Sequence, residues 1–248
     1  MLSDKVSDTT PKADCRGCPH RTDLLASGRC VPGDICVRAM SGRQIERFFR
    51  ENPGMADRYT GDEFWERRAI AARYISQQRL KELINDPDEV VRRVLAYRLP
   101  QESLGLLIND SDREVRITVA DRLPQEKLFE LLEDEDYLVR NTVAKRISPG
   151  GLFKLIRDAD REVRKTVALR LPAASLGFMQ FDPDPEVRLV VADRVDQTLA
   201  VVMLDDSDWR VRLRAVERSP LTELVRMLND EDDDVRSVAK MRLKDADG

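Results

Sequence analysis

The residues of this chain whose types and spacing could hold a metal centre are its four cysteines. They are Cys15, Cys18, Cys30 and Cys36, in the pattern C-x2-C-x11-C-x5-C, and no cysteine follows them. Clustering of this kind marks a ligand set rather than scattered core thiols. Gly17, Pro19, Gly28, Pro32 and Gly33 interleave the cysteines. They allow the sharp turns that aim four sulfurs at one centre, and they leave backbone N–H groups free to reach sulfur. Three chemistries compete. Disulfides belong to oxidising compartments, and the Met-Leu-Ser-Asp-Lys start shows no apolar export segment, so they are set aside. A structural Zn2+ uses C-x2-C pairs, although the x5 spacing of the second pair exceeds that of common ribbons. An iron–sulfur cluster also takes four thiolates. Spacing alone leaves zinc and iron–sulfur level. Lys12, Arg16, Arg21, Arg29 and Arg38 outnumber Asp14, Asp23 and Asp34, and would stabilise either anionic centre. His20 is the sole histidine. Four cysteines already fill a tetrahedral site, so His20 is expected beside the centre or facing solvent.

No catalytic constellation accompanies the cysteines. One histidine excludes an H-E-x-x-H zinc site, and the chain has neither a P-loop nor a G-x-G-x-x-G segment. No catalytic residue is assigned, and the chain is not expected to be an enzyme. Its formal net charge is −4, with residues 1–62 at +1 and the remainder at −5. An acidic array with 5% aromatic residues offers little to phosphate backbones or stacked bases, so nucleic acid is not an expected partner. No stretch approaches the ~20 apolar residues of a membrane span. A cytoplasmic protein is expected, and a monomer fits.

The cysteines must be positioned by something, and the rest of the sequence is periodic. Val-Arg recurs at Val91-Arg92, Val115-Arg116, Val139-Arg140, Val163-Arg164, Val187-Arg188, Val211-Arg212 and Val235-Arg236, every 24 residues. A second arginine recurs at Arg98, Arg122, Arg146, Arg170, Arg194, Arg218 and Arg242, and an Asp-x-Asp pair precedes each Val-Arg. A degenerate earlier copy keeps Arg68, Ala72 and Ile75, with Tyr74 in place of the second arginine. In one unit, Leu104, Leu107 and Ile108 have helical spacing. Asn109-Asp110-Ser111-Asp112 then signals a turn and N-cap, Val115, Val119, Ala120 and Leu123 form a second stripe, and Leu123-Pro124 closes it. A helix of about eleven residues leaves room for only about two more turns, so the short helix around Gln101–Ile108 is expected to tighten toward 3-10 geometry. Such a unit buries its stripe only against neighbours. Residues 1–62 are read as the cysteine domain and cap, and residues 63–248 as the array, ended by acidic Asp245-Ala246-Asp247-Gly248. Phe48 and Phe49 are expected to seal the join.

Arginines on or beside the apolar stripe demand partners, because an unpaired buried charge is costly. The Asp-x-Asp carboxylates of the same or adjacent unit are the expected partners of both arginine columns, and a stacking ladder is favoured over an arginine-lined ligand groove. The same pairs lack the further oxygens, glycine and glutamate of a calcium loop; helix N-capping explains them.

The 24-residue unit, Leu-x-x-Leu-Ile…Asp-x-Asp-x-x-Val-Arg…Ala-x-Arg-Leu-Pro, resembles the bacterial leucine-rich repeat variant (LRV) proteins. The Cys15-Arg16-Gly17-Cys18-Pro19 segment, with Cys30 and Cys36, is similar to their iron–sulfur domain. The resemblance implies an all-α, right-handed superhelical solenoid of alternating α and 3-10 helices. It also implies a 4Fe–4S cluster held by Cys15, Cys18, Cys30 and Cys36, with one structural Zn2+ as the alternative, and it implies no reaction. Gln180, Val216, Asp196 and Ser148 depart from the repeat and put local packing in question. The expected function is a protein-interaction scaffold, with a protein partner the residues do not identify, responsive to redox state or iron. The alternatives are electron transfer through a docked redox partner and a pure binding solenoid with structural zinc.

Overall fold

The computed structural model describes residues 10–246, so Met-Leu-Ser-Asp-Lys at the start and Asp247-Gly248 at the end lie outside the described residues. The chain forms two compact units, Met1–Leu123 and Pro124–Gly248. Each consists of stacked 24-residue repeats, and the first also carries the cysteine segment. Among the described residues there is no strand beyond an isolated bridge between Val31 and Ile35.

Each repeat alternates one α-helix with one short helix. In the first unit the α-helices are Trp65–Ala71, Glu89–Arg98 and Arg113–Arg122. In the second they are Tyr137–Arg146, Arg161–Arg170, Pro185–Ala192, Trp209–Arg218 and Asp233–Ala246. The 3-10 expectation holds for Gln101–Leu107, Gln125–Leu131 and Ala173–Met179. Gln77–Leu80, Pro149–Leu152, Gln197–Met203 and Leu221–Leu224 are α-helical instead. The first three follow a position where proline gives way, to Ser76, Ser148 and Asp196, whereas the last follows Pro220; Asp196 caps its helix by accepting from the Leu199 N–H.

The stripe read from the sequence is the core. Leu104, Val115, Val119, Ala120 and Leu123 are fully buried, and so are Val163, Val167, Ala168 and Leu171 in the second unit. Each such side chain contributes on the order of 1.5–3 kcal/mol. Val216, one of the departures, is fully buried beside Ala215, the two residues exchanging the larger and smaller side chains of the preceding regular copies.

The two aspartates of each turn have separate tasks. The second is the N-cap: Asp160 accepts from the Glu162 N–H at 2.8 Å and Asp184 from Glu186 at 2.9 Å, with Pro185 opening the helix. The first receives the fork of the Val-Arg arginine one unit earlier. In the first unit the pairs are Arg68–Asp86 and Arg92–Asp110. In the second they are Arg140–Asp158, Arg164–Asp182, Arg188–Asp206 and Arg212–Asp230, at 2.7–2.8 Å for the shorter of each pair of bonds. The same guanidinium also donates to a carbonyl of its own turn, as Arg164 does to Asp158 at 2.8 Å. One side chain therefore ties two successive turns.

The second arginine column departs from expectation. Its guanidinium groups reach carbonyls of the preceding repeat, not aspartates. Arg98 donates to Ala72 and Ile75, and Arg170 to Ala144 and Ile147 at 2.7 and 2.8 Å. These carbonyls lie at the C-terminal ends of helices, where they lack intrahelical donors and carry partial negative charge. A cation there completes the helix end without needing a carboxylate.

Candidate metal centre

The cysteine segment is built from turns. Cys15 and Cys18 bracket one turn, closed by the Cys18 N–H donating to the Cys15 carbonyl at 3.2 Å. A single π turn, Arg21–Leu25, follows. Gly28, at φ +74°, ends it, and the Arg29 and Cys30 N–H groups turn back onto the Leu24 carbonyl. Pro32-Gly33 makes the next reversal. Gly33 has φ +89°, the Asp34 N–H donates to Val31, and Val31 and Ile35 exchange both backbone bonds, as Pro and Gly at the centre of a type II turn favour. Cys30 and Cys36 thus lie at the two ends of one hairpin. A Cβ at Gly33 would lie 3.2 Å from Lys12 Cε, whereas one at Gly28 meets open space. We expect Gly33→Ala to destabilise the first unit by roughly 1–2 kcal/mol, and Gly28→Asn by much less, because asparagine tolerates positive φ. Thermal unfolding of the two variants would check this; equal losses would contradict it.

The structure buries the sulfurs unevenly. Cys30 and Cys36 are buried, Cys15 and Cys18 half-buried, and all four are free. The Cys30 thiol is pushed up to about 12 by burial, then by the sulfurs of Cys36, Cys18 and Cys15. Burial also raises Cys36, partly opposed by the Arg38 and Ala39 N–H groups that donate to its sulfur. The four thiols therefore share one electrostatic neighbourhood. Among the described residues, no three His, Cys, Asp or Glu side chains converge at the spacing of a single bound ion. By donor chemistry the set fits a thiolate-bound metal group. Its sulfurs repel one another as thiolates, two backbone N–H groups already point at one of them, and only cationic charge would make the buried pair ionise near neutral pH.

Several residues that hold this segment lie outside the cysteine pattern. His20 is buried, with Nε2 2.6 Å from the Tyr59 hydroxyl, and so does not face solvent. Burial lowers the His20 pKa, and burial followed by the Cys18 charge pushes Tyr59 up to about 12, so both are neutral partners. They pack with Phe48 and Phe49, and Phe49 meets Tyr74 of the degenerate repeat, which places the aromatic pair at the join as expected. Asn52 donates to the Arg29 and Phe48 carbonyls, and Arg29 to the Glu51 carbonyl. Arg29 thus also serves as a strap. Arg16 is similarly engaged by Asp14. Arg67, on the first repeat helix, donates to the Val37 carbonyl at 2.7 Å, to the Arg38 carbonyl at 3.4 Å and to Asp62 at 2.8 Å. It clamps the loop after Cys36 to the array. The sequence signal for Arg67 is its register: it stands where the seven regular copies carry the valine of Val-Arg.

Comparison with known proteins agrees with this anatomy. Residues 11–58 match the family model described as the LRV protein FeS4 cluster. The chain is 41% identical over 86 residues to the "Uncharacterized 27.7 kDa protein in nifB 3'region" of Rhodobacter capsulatus, a match spanning 35% of each protein. A solved structure described as a leucine-rich repeat variant with a novel repetitive protein structural motif is similar at 56% identity and a TM-score of 0.88, over 94% of this chain and 100% of that one. With that identity along the full length of a solved relative, the chain belongs to the leucine-rich repeat variant family, and its N-terminal segment is of the family's iron–sulfur type.

Proposed function

We propose that Cys15, Cys18, Cys30 and Cys36 hold a 4Fe–4S cluster, and that the chain is a cytoplasmic, non-catalytic scaffold whose repeats bind another protein in a way that depends on the cluster. A bound cluster supplies one-electron chemistry, tuned by hydrogen bonds to its sulfurs and by exposure. The protein's own part is to bring N–H groups of Arg38 and Ala39 to the Cys36 sulfur, and to couple that loop to the repeats. The observation that carries the reading is the Arg67 clamp, because it joins the backbone just after Cys36 to the first repeat helix. Loss of the cluster should loosen the clamp and then the helix Trp65–Ala71. Hydrogen exchange on loaded and chelator-stripped protein tests this. Faster exchange in that helix after stripping is expected, and unchanged exchange would sink the responsive part of the reading.

A second reading is electron transfer. The half-exposure of Cys15 and Cys18 favours it, since it leaves that edge of a cluster open to a redox partner. Reversible voltammetry without loss of iron would favour it over the sensing scaffold.

A further inference from the structure

The short helix Ala173–Met179 ends in a reversal of the repeat's own pattern. At that register every other copy has an aliphatic residue followed by a polar one: Ile108-Asn109, Leu132-Glu133, Ile156-Arg157, Leu204-Asp205. Here the pair is Gln180-Phe181. Phe181 is 77% exposed, and Gln180 Oε1 is buried with no hydrogen-bond partner. An inversion that costs the array on both counts marks a site serving something other than the fold.

Clefts recur between successive repeats at this register, and Phe181 lines two of them. One, of about 400 Å3, is also lined by Gln180, Pro183, Val202 and Met203, and the other, of about 450 Å3, by Ile156, Arg157 and Phe178. Phe178 is 71% exposed and meets Phe153 edge-on at 5.7 Å. Arg157 is exposed and makes no ion pair among the described residues. The nearby carboxylates are already engaged: Asp182 by Arg164, Asp206 by Arg188 and Asp205 by Arg226. The patch is thus aromatic with spare positive charge, in an array that is acidic overall.

We infer that these two clefts bind an acidic peptide segment of a partner protein, with an apolar side chain seated against Phe181 and a carboxylate paired with Arg157. The inference rests on the reading of the repeats as a binding module and assigns its face. Two substitutions restore the repeat pattern, Gln180→Leu and Phe181→Asn, so they leave the fold intact. The test selects short random peptides displayed on phage against the full-length, cluster-loaded protein, then measures synthetic copies by fluorescence anisotropy. Selected peptides should combine Asp or Glu with a large apolar residue. They should lose affinity by about tenfold or more on the double variant, and weaken on Arg157→Glu, while the melting temperature of the double variant stays level or rises. Equal binding to the double variant would overturn the assignment of this face but leave the scaffold reading standing. Enrichment of no peptide would overturn both. A lower melting temperature in the double variant would show that Gln180 and Phe181 serve the array, and would overturn the proposal.

Discussion

Arg164→Met is expected to destabilise the second unit by roughly 3–5 kcal/mol, the range for leaving one member of a buried ion pair uncompensated. Arg164 and Asp182 are each 8% exposed as residues, and Asp182 is held by two bonds from the guanidinium at 2.8 and 3.1 Å. The truncation leaves the carboxylate with only the Asp184 N–H, at 2.9 Å. It also removes the bond from Arg164 to the Asp158 carbonyl that ties the two turns. Removing the charge as well, in Arg164→Met with Asp182→Asn, should recover part of the loss, because the isosteric amide keeps the turn's acceptor oxygen and discards the unpaired charge. The coupling between the two changes then measures the pair rather than the truncation. Urea unfolding followed by far-ultraviolet circular dichroism checks both variants. A single variant within about 1 kcal/mol of wild type would show that the ladder contributes to register and not to stability. Because repeat arrays can unfold in parts, the slope should be compared along with the midpoint.

This ladder and the core were legible in the sequence because both repeat. Val115, Val119 and Leu123 declare a buried stripe by spacing, and an arginine beside it points to the Asp-x-Asp carboxylates; which aspartate it reaches, and in which unit, takes the fold to show. The second column was read with the wrong partner for a physical reason. Backbone carbonyls leave no mark in a sequence, so Arg170 bonding to Ala144 and Ile147 looks the same as an arginine in search of a carboxylate. The cysteine segment was legible as ligands but not as a scaffold. Asn52 and Tyr59 lie outside the repeats and carry no period, and Arg67 shows only as the repeat position where valine gives way to arginine. Gln180 stood out as a departure, but its meaning needed three dimensions: only the fold shows its oxygen buried and unpaired beside a cleft. His20 shows the same limit from the other side: the sequence places a lone histidine either beside the centre or in solvent, and its bond to Tyr59, 39 residues away, excludes the solvated ring.

The cysteines themselves give the other large effect. Cys30→Ala is expected to reduce bound iron and acid-labile sulfide to near zero, with the brown absorption lost, while the second unit keeps its helices. Cys30 is chosen because it is buried and its thiol is raised to about 12 by burial and by the other three sulfurs. Solvent does not readily reach a buried position of that kind to supply a replacement ligand. Cys15→Ala should be less severe in one respect. That sulfur is half-buried, so water or an added thiol can reach the vacated position, and partial loading with altered absorption is expected. The segment between Pro11 and Met40 consists of turns and one π turn, with little regular backbone bonding. Its order should therefore depend on the bound group, as metal binding and folding are coupled where local structure is sparse. Limited proteolysis should cut Cys30→Ala within this segment and leave the repeats resistant. Full iron in Cys30→Ala would remove that cysteine from the ligand set, and one zinc with no iron in the wild-type chain would replace the cluster with a structural ion. Resistance of the stripped segment to protease would mean that the straps from Asn52, Arg29 and Arg67 order it unaided, in which case loss of the cluster would have no mechanical route to the array.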